Sequence, residues 1–221
     1  MNTNKQDSFF ISKLSHELRN PLTSLYSTIQ LIEQTNPQVK EIKYWESLAL
    51  DIEYMIALLN DVSSIASNHL TLASFSLETM VKQVALSFAA LLADSQIQFT
   101  SKIDIGHPLI IGDSIKLQEV LRNILKNASE ACSCGDSIFL SVTTSDKECN
   151  ILIKDTGMGI SSEKLASIWD PFVTYKKQGN GLGLPICKQI IDAHGGEISL
   201  SSVLGEGTCV YIAFPLHLPC E

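Results

Sequence analysis

Leu14, Leu18, Leu22, Leu25, Ile29 and Ile32 recur at steps of four, four, three, four and three residues. Those steps keep all six on one stripe of an α-helix; in a strand, where side chains alternate faces, they would scatter to both sides. A stripe this long predicts a helix from an N-cap at Asp7 or Ser8 to about Gln34. Pro21 lies inside it and removes one backbone hydrogen bond, so a kink is expected just after His16. Thr35-Asn36-Pro37 reads as a turn. Ile42, Trp45, Leu48, Ile52, Met55, Ile56, Leu59, Val62 and Ile65 then set out a second helix. Two such helices form a hairpin too thin to cover its own apolar faces. Pairing with a second copy into a four-helix bundle is the simplest solution, so a homodimer is expected.

His16 sits two residues, about 200°, from both Leu14 and Leu18, and so points away from the stripe. An exposed imidazole followed at once by Glu17 is available for chemistry. His-Glu pairs also occur on helix surfaces that do nothing, and Ser15 to Leu22 alone does not decide between these. The remainder of the chain does.

Residues 67–74 are a polar break between a first domain, 1–66, and a second, 75–221. In the second, helices are expected over Leu77–Asp94, Ser114–Ala131 and Leu184–His194, the last ended by Gly195-Gly196. Strands are expected over Ile97–Ile103, Ile138–Thr144, Cys149–Lys154, Glu197–Ser202 and Thr208–Phe214, while Pro108–Asp113 ends in a turn. The expected fold class is therefore an α-helical hairpin that forms a dimeric four-helix bundle, followed by an α+β sandwich with largely antiparallel strands.

A formal net charge of −8 and a pI near 5.1 lack the basic footprint of a nucleic-acid binder, so no direct nucleic-acid contact is expected. Met1–Ser8 has no apolar signal-peptide core, and the run Val84–Ala93 is too short to span a bilayer. Hence no membrane segment is expected in this chain, and a cytoplasmic location is. Of the six cysteines only Cys132 and Cys134 are close, with one residue between them, which suits neither zinc nor a disulfide framework. Reduced thiols are expected.

Within Ser114–Ala131, Asn123 and Asn127 share a face at i and i+4, opposite Leu117, Val120, Leu121, Ile124, Leu125 and Ala128. Amide oxygens can ligate a hard cation and amide NH₂ groups can bind phosphate. Three glycine segments come after this helix: Asp155-Thr156-Gly157-Met158-Gly159-Ile160 after a strand, Gly179-Asn180-Gly181-Leu182-Gly183-Leu184 before a helix, and Gly205-Glu206-Gly207-Thr208 entering the last strand. Glycine permits positive φ and close backbone approach to phosphates, and a helix N-terminus favours an anion. One Gly-x-Gly is usually a turn; three in this order after a paired-Asn helix are hard to obtain from turns alone. Neither a P-loop nor a dinucleotide-binding βαβ context is present.

With these motifs the chain resembles the catalytic core of a bacterial sensor histidine kinase. Residues 8–66 resemble its dimerisation and histidine-phosphotransfer domain, with Ser15–Pro21 as the H box. The second domain resembles the GHKL (Bergerat-type) ATP-binding domain shared with gyrase, Hsp90 and MutL-type ATPases. Residues 114–131 match its N box, 155–160 the G1 box, 169–176 the F box, 179–184 the G2 box and 205–208 the last glycine motif. Asn127-Ala128-Ser129-Glu130-Ala131 is most similar to the nitrogen-regulator and sporulation kinase branches.

The resemblance implies that His16 is the phosphoacceptor, Glu17 its proton acceptor, and Asn20 the residue that orients water when the partner is dephosphorylated. It implies ATP and Mg²⁺ as cofactors, with Asn127 on the metal and Asn123 on phosphate or metal. Asp155 is implied at the adenine amine, with Gly157, Gly159 and Thr208 near the base. Gly179, Gly181, Leu182 and Gly183 are implied around the phosphates, with Lys176 as a lid cation and Phe172 as the lid's apolar anchor. The implied partners are a second copy of the chain and the receiver domain of a response regulator, whose aspartate takes the phosphoryl group. Asn180, Val173 and Tyr175 depart from the family pattern. Two other readings stand beside the kinase: a degenerate kinase serving as phosphorelay or scaffold, and an ATPase of the gyrase and MutL kind. Against the ATPase, an amide at position 123 stands where such enzymes carry a glutamate base for water.

Overall fold

The wide apolar stripe of the first helix divides between two neighbouring lines, and only one of them packs within the chain. The structure, a computed structural model, describes residues 3–66, 70–106, 109–145, 147–176 and 179–216; within them the side chains of residues 3–10, 12, 16, 65 and 66 are not described. The chain divides into two units between residues 68 and 69.

In the first unit, α1 (Thr3–Thr35) is continuous through Pro21 and starts before the expected cap. A short 3-10 helix (Pro37–Glu41) leads to α2 (Trp45–Ala66). Tyr44, at φ +72°, makes the left-handed turn into α2. Along α1, Ser15 and Ile29 are buried and Leu22 half-buried, at seven-residue spacing. On the adjacent line Leu14, Leu18 and Leu25 remain 42%, 46% and 52% exposed. The same division occurs on α2, where Ile52 is buried between half-buried Trp45 and Leu59 while Leu48 and Met55 stay exposed. Two helices in contact share only a narrow 3.5-residue seam, so the expected stripe is not one face: half of it faces outward in a single chain. The hairpin is pinned by Trp45, whose indole N–H donates to Glu33 at 2.9 Å, and by the Lys40–Glu33 ion pair at 3.4 Å.

In the second unit a five-stranded sheet has the order β2-β4-β5-β7-β6. Its strands are β2 (Gln98–Asp104), β4 (Ser137–Thr144), β5 (Glu148–Asp155), β6 (Glu197–Val203) and β7 (Gly207–Pro215). All pairs are antiparallel except β2 with β4, which run parallel from Gln98↔Ser137 to Asp104↔Thr143. Ile138, Leu140, Val142, Ile151, Ile153, Val210, Ile212 and Phe214 fill one face at period two. Helices α3 (Leu77–Leu91), α4 (Ser114–Ala131) and α6 (Gly183–Ala193) pack on the sheet. The buried residues of α4 are Leu117, Val120, Leu121, Ile124, Leu125 and Ala128, the six expected from periodicity.

In this second unit three elements were not expected. Residues Ala73–Ser76 form β1, paired antiparallel with β3 (Leu109–Gly112), so the polar break ends in a strand and the expected turn at 108–113 is largely one. A one-turn α5 (Ser162–Leu165) succeeds the first glycine segment. Among the described residues no helix is long and apolar enough to cross a membrane, and Cys132, Cys134, Cys149, Cys187 and Cys209 are free thiols.

Candidate functional site

Each candidate segment of the second unit touches α4 or the end of β5 beside it. Asp113 caps α4: its Oδ1 accepts from the Ile115 and Lys116 N–H groups, each at 3.1 Å, and Oδ2 accepts from the Thr71 N–H at 2.8 Å. At the other end of the helix, the Met158 N–H donates to the Ala131 carbonyl at 3.0 Å, which fixes the first glycine segment to α4. A Cβ on Gly157 would sit 2.4 Å from that same carbonyl oxygen, so only glycine fits there.

Asp155 ends β5 and is 4% exposed. Its Oδ1 accepts from the Gly157 N–H at 3.0 Å and the Thr208 N–H at 3.2 Å. Burial pushes its carboxyl upward from the usual range, and these two bonds pull it back. Thr208 thus reaches Asp155 from the third glycine segment. Ser202 ties the two further: its hydroxyl accepts from the Ile160 N–H at 2.8 Å and donates to the Gly207 carbonyl at 2.7 Å. Gly159, at φ +65°, approaches the Val203 carbonyl so closely that a Cβ would lie 2.0 Å from the oxygen.

The second glycine segment opens α6. A Cβ on Gly183 would lie 4.0 Å from the Asn123 amide carbon, so the start of α6 and the paired-Asn face are neighbours. The first turn of α6 carries N–H groups without intrahelical acceptors, the usual setting for an anion. The Asn180 side-chain oxygen accepts from the Leu182 N–H at 3.1 Å, a bond a Thr or Ser hydroxyl in that place would also make. The departure at Asn180 therefore preserves the turn. Gly181 accepts from the Phe172 N–H at 3.1 Å, both residues with positive φ. Phe172, expected as the lid's apolar anchor, is 65% exposed, and its backbone N–H is what ties it to the second glycine segment. Tyr175 meets Ser167 at 2.8 Å and lies under the Lys164 ammonium.

Lys176 reaches back to α4. Its ammonium donates to Asn127 Oδ1 at 2.8 Å and pairs with Glu130. The amide oxygen of Asn127 therefore already accepts a cation, which fits Mg²⁺. Among the described residues no group of three or more His, Cys, Asp or Glu could cage a metal. An ion here would rest on Asn127 and on oxygens of a bound phosphate, the usual arrangement for Mg²⁺.

In the first unit Glu17 and Asn20 are exposed on α1, and Glu17 lies 3.9 Å from Lys13. His16 lies in α1, its side chain outside the described residues.

Family models match along most of the chain. Residues 6–69 match the His Kinase A (phospho-acceptor) domain, and residues 112–218 match the histidine kinase-, DNA gyrase B- and HSP90-like ATPase. The chain belongs to the sensor histidine kinases. Sporulation kinase C of Bacillus subtilis is 33% identical over 206 residues, 92% of this chain and 47% of the relative. Sensor protein SrrB of Staphylococcus aureus is 33% identical over 226 residues, 93% of this chain and 37% of the relative. This kinase core thus spans less than half the length of these relatives. Among solved structures, full-length ShkA in complex with AMPPNP aligns over 96% of this chain and 46% of its own, with a TM-score of 0.80 and 26% identity. The catalytic domain of histidine kinase ThkA covers 66% of this chain with a TM-score of 0.58 and 27% identity.

Sequence reasoning missed Glu130 and Ser202. Glu130 lies three residues beyond Asn127 on the same helix face, so helical spacing was signal enough. Ser202 sits in an ordinary strand, and nothing local marks it.

Proposed function

We propose that this chain autophosphorylates His16 from Mg-ATP and passes the phosphoryl group to an aspartate of a response regulator. The observation that carries the reading is the Asn127–Lys176 contact, which presents a metal-competent amide oxygen and a cation together on α4, beside the start of α6. Support for ATP comes from the ATPase-family match and from the AMPPNP complex of ShkA.

In this reading Asp155 accepts from the adenine amine, with Gly157, Gly159 and Thr208 lining the base. Gly179, Gly181, Leu182 and Gly183 surround the phosphates, and Asn123 meets phosphate. Mg²⁺ held by Asn127 would spread charge away from the γ-phosphoryl group. An unprotonated imidazole nitrogen of His16 attacks phosphorus; the P–N bond forms as the bond to the ADP oxygen breaks. Glu17 accepts the proton leaving the other ring nitrogen. Asn123 cannot act as a base for water, which favours transfer to His16 over hydrolysis. Asn20, one helical turn beyond His16 on α1, would orient water for dephosphorylating the regulator.

The unpacked half-stripes, Leu14, Leu18 and Leu25 on α1 with Leu48 and Met55 on α2, support a homodimeric four-helix bundle. Incubation with γ-labelled ATP and Mg²⁺ tests the kinase. An acid-labile, base-stable label is expected, absent in His16→Ala and strongly reduced in Asn127→Ala. Label persisting in His16→Ala would overturn the assignment.

A further inference from the structure

Asn127 and Glu130 stand one turn apart on α4, and both hold the same ammonium. Lys176 Nζ lies 2.8 Å from Asn127 Oδ1 and pairs with Glu130 Oε2. Glu130 Oε1 faces a second cation, Lys126 Nζ, at 3.8 Å, so the carboxylate lies between two lysines. The Lys176 backbone is held too, its N–H donating to Thr174 Oγ1 at 3.2 Å. The contact therefore joins the segment before the second glycine motif to the paired-Asn helix, 49 residues away in sequence.

The oxygen that Lys176 occupies is the one the proposed function gives to Mg²⁺, and the role of Glu130 rests on that reading. Mg²⁺ binds oxygen at about 2.1 Å. With an ammonium on the same amide oxygen, the two charges would lie only ~3–4 Å apart, a repulsion that solvent around this exposed contact weakens but does not remove. The metal and Lys176 thus compete for Asn127. Glu130 decides the contest: it is the charge that keeps the ammonium on α4, while bound phosphate draws it off. We infer that Glu130 is a positioning residue for Lys176, one that rests the ammonium on Asn127 and so weakens Mg-nucleotide binding until phosphate takes the lysine over.

The test is equilibrium binding of Mg-ATP to the full chain carrying His16→Ala, which prevents turnover. Four forms are compared: this background alone, with Glu130→Gln, with Lys176→Met, and with both. Glu130→Gln is expected to tighten Mg-ATP about two- to fivefold, the scale of a half-exposed ion pair. With Lys176→Met present, the same change is expected to have almost no effect. With EDTA in place of Mg²⁺, Asn127 is uncontested and the gain from Glu130→Gln should largely disappear. Weaker binding in Glu130→Gln would overturn the inference, since Glu130 would then support metal or phosphate. Equal tightening with and without Lys176 would also overturn it, because Glu130 would merely repel phosphate. Should the background protein itself fail to bind Mg-ATP, the nucleotide-site reading falls before any variant is compared.

Discussion

The imidazole Nε2 of His194 accepts a hydrogen bond from the Asp113 backbone N–H at 3.0 Å, across 81 residues of sequence. Nδ1 lies 2.8 Å from the Ile190 carbonyl, which can only accept, so the proton sits on Nδ1 and the ring is neutral. His194 ends the helix that the second glycine segment begins, and Asp113 caps the helix that carries both asparagines. One neutral ring thus fixes the relation of α6 to α4.

Burial lowers the His194 pKa below the usual imidazole value, with the Ile190 carbonyl and the Asp113 carboxylate pulling it partly back. A base whose folded pKa is depressed binds its proton first in the unfolded chain. Its contribution is therefore complete above the unfolded pKa of about 6.5 and is lost as pH falls from there toward the folded value. The thermal midpoint should drop as pH falls below about 6.5. His194→Gln, whose side-chain oxygen can still accept from Asp113, should flatten that dependence. An equal slope in the variant would assign the acid sensitivity to other groups.

Asp113 offers a cleaner separation of two bonds. Asparagine in its place keeps an oxygen for the Ile115 and Lys116 N–H groups but turns an NH₂ toward the Thr71 N–H, where two donors then meet. Asp113→Asn is expected to lose about 1 kcal/mol, the size of one buried hydrogen bond. Asp113→Ala should lose about 2–3 kcal/mol, because the helix cap goes as well. Urea unfolding of the two variants measures the difference, and equal losses would show that the Thr71 bond is all that matters.

Much of the second unit was legible because its signals are local. On α4, six buried residues at helical spacing leave Asn123 and Asn127 on the other face, and no tertiary contact is needed to see it. The glycines at 157, 159 and 207 are legible only as a recurring motif; what forbids a larger residue there is backbone distant in sequence, at Ala131, Val203 and Asp155. The ribbon of β1 and β3 was not legible: Ser74 faces Ile111 and Ser76 faces Leu109, and such short strands exist only through a partner over thirty residues away. The stripe of α1 misled for a related reason. Periodicity shows that Leu14, Leu18, Leu22 and Ile29 are apolar together, but which of them meets α2 depends on the width of a two-helix seam.

That division of the stripe predicts a defined oligomer. Leu18 and Leu25 are exposed on one line of α1, and burying a leucine contributes about 1.5–3 kcal/mol. A dimer would bury four of them, two from each copy. Glutamate at both positions should raise the dimer dissociation constant by at least ~100-fold, seen as a monomer in sedimentation at micromolar concentration. The unaltered chain should sediment as a dimer, and a monomeric unaltered chain would refute the bundle. Mg-ATP affinity should change little, since the proposed nucleotide residues lie in the other unit.

Asp155 supplies a prediction about which base is recognised. Its Oδ1 is committed to the Gly157 and Thr208 N–H groups, and asparagine can keep both of those bonds with its own oxygen. Its second polar atom then changes from an acceptor to an NH₂ donor with the same shape. Adenine presents an exocyclic amine, a donor, whereas hypoxanthine presents a carbonyl oxygen at the equivalent ring position. Asp155→Asn should therefore weaken ATP by about 10- to 100-fold, the cost of opposing two donors in a site that is 4% exposed. Inosine triphosphate should lose far less, or gain, so the preference for ATP narrows or reverses. Competition binding with the two nucleotides measures the ratio, and thermal unfolding of the variant checks that it remains stably folded. Were both nucleotides weakened equally in a stably folded variant, Asp155 would serve only to hold the glycine segments together, and adenine recognition would have to lie elsewhere.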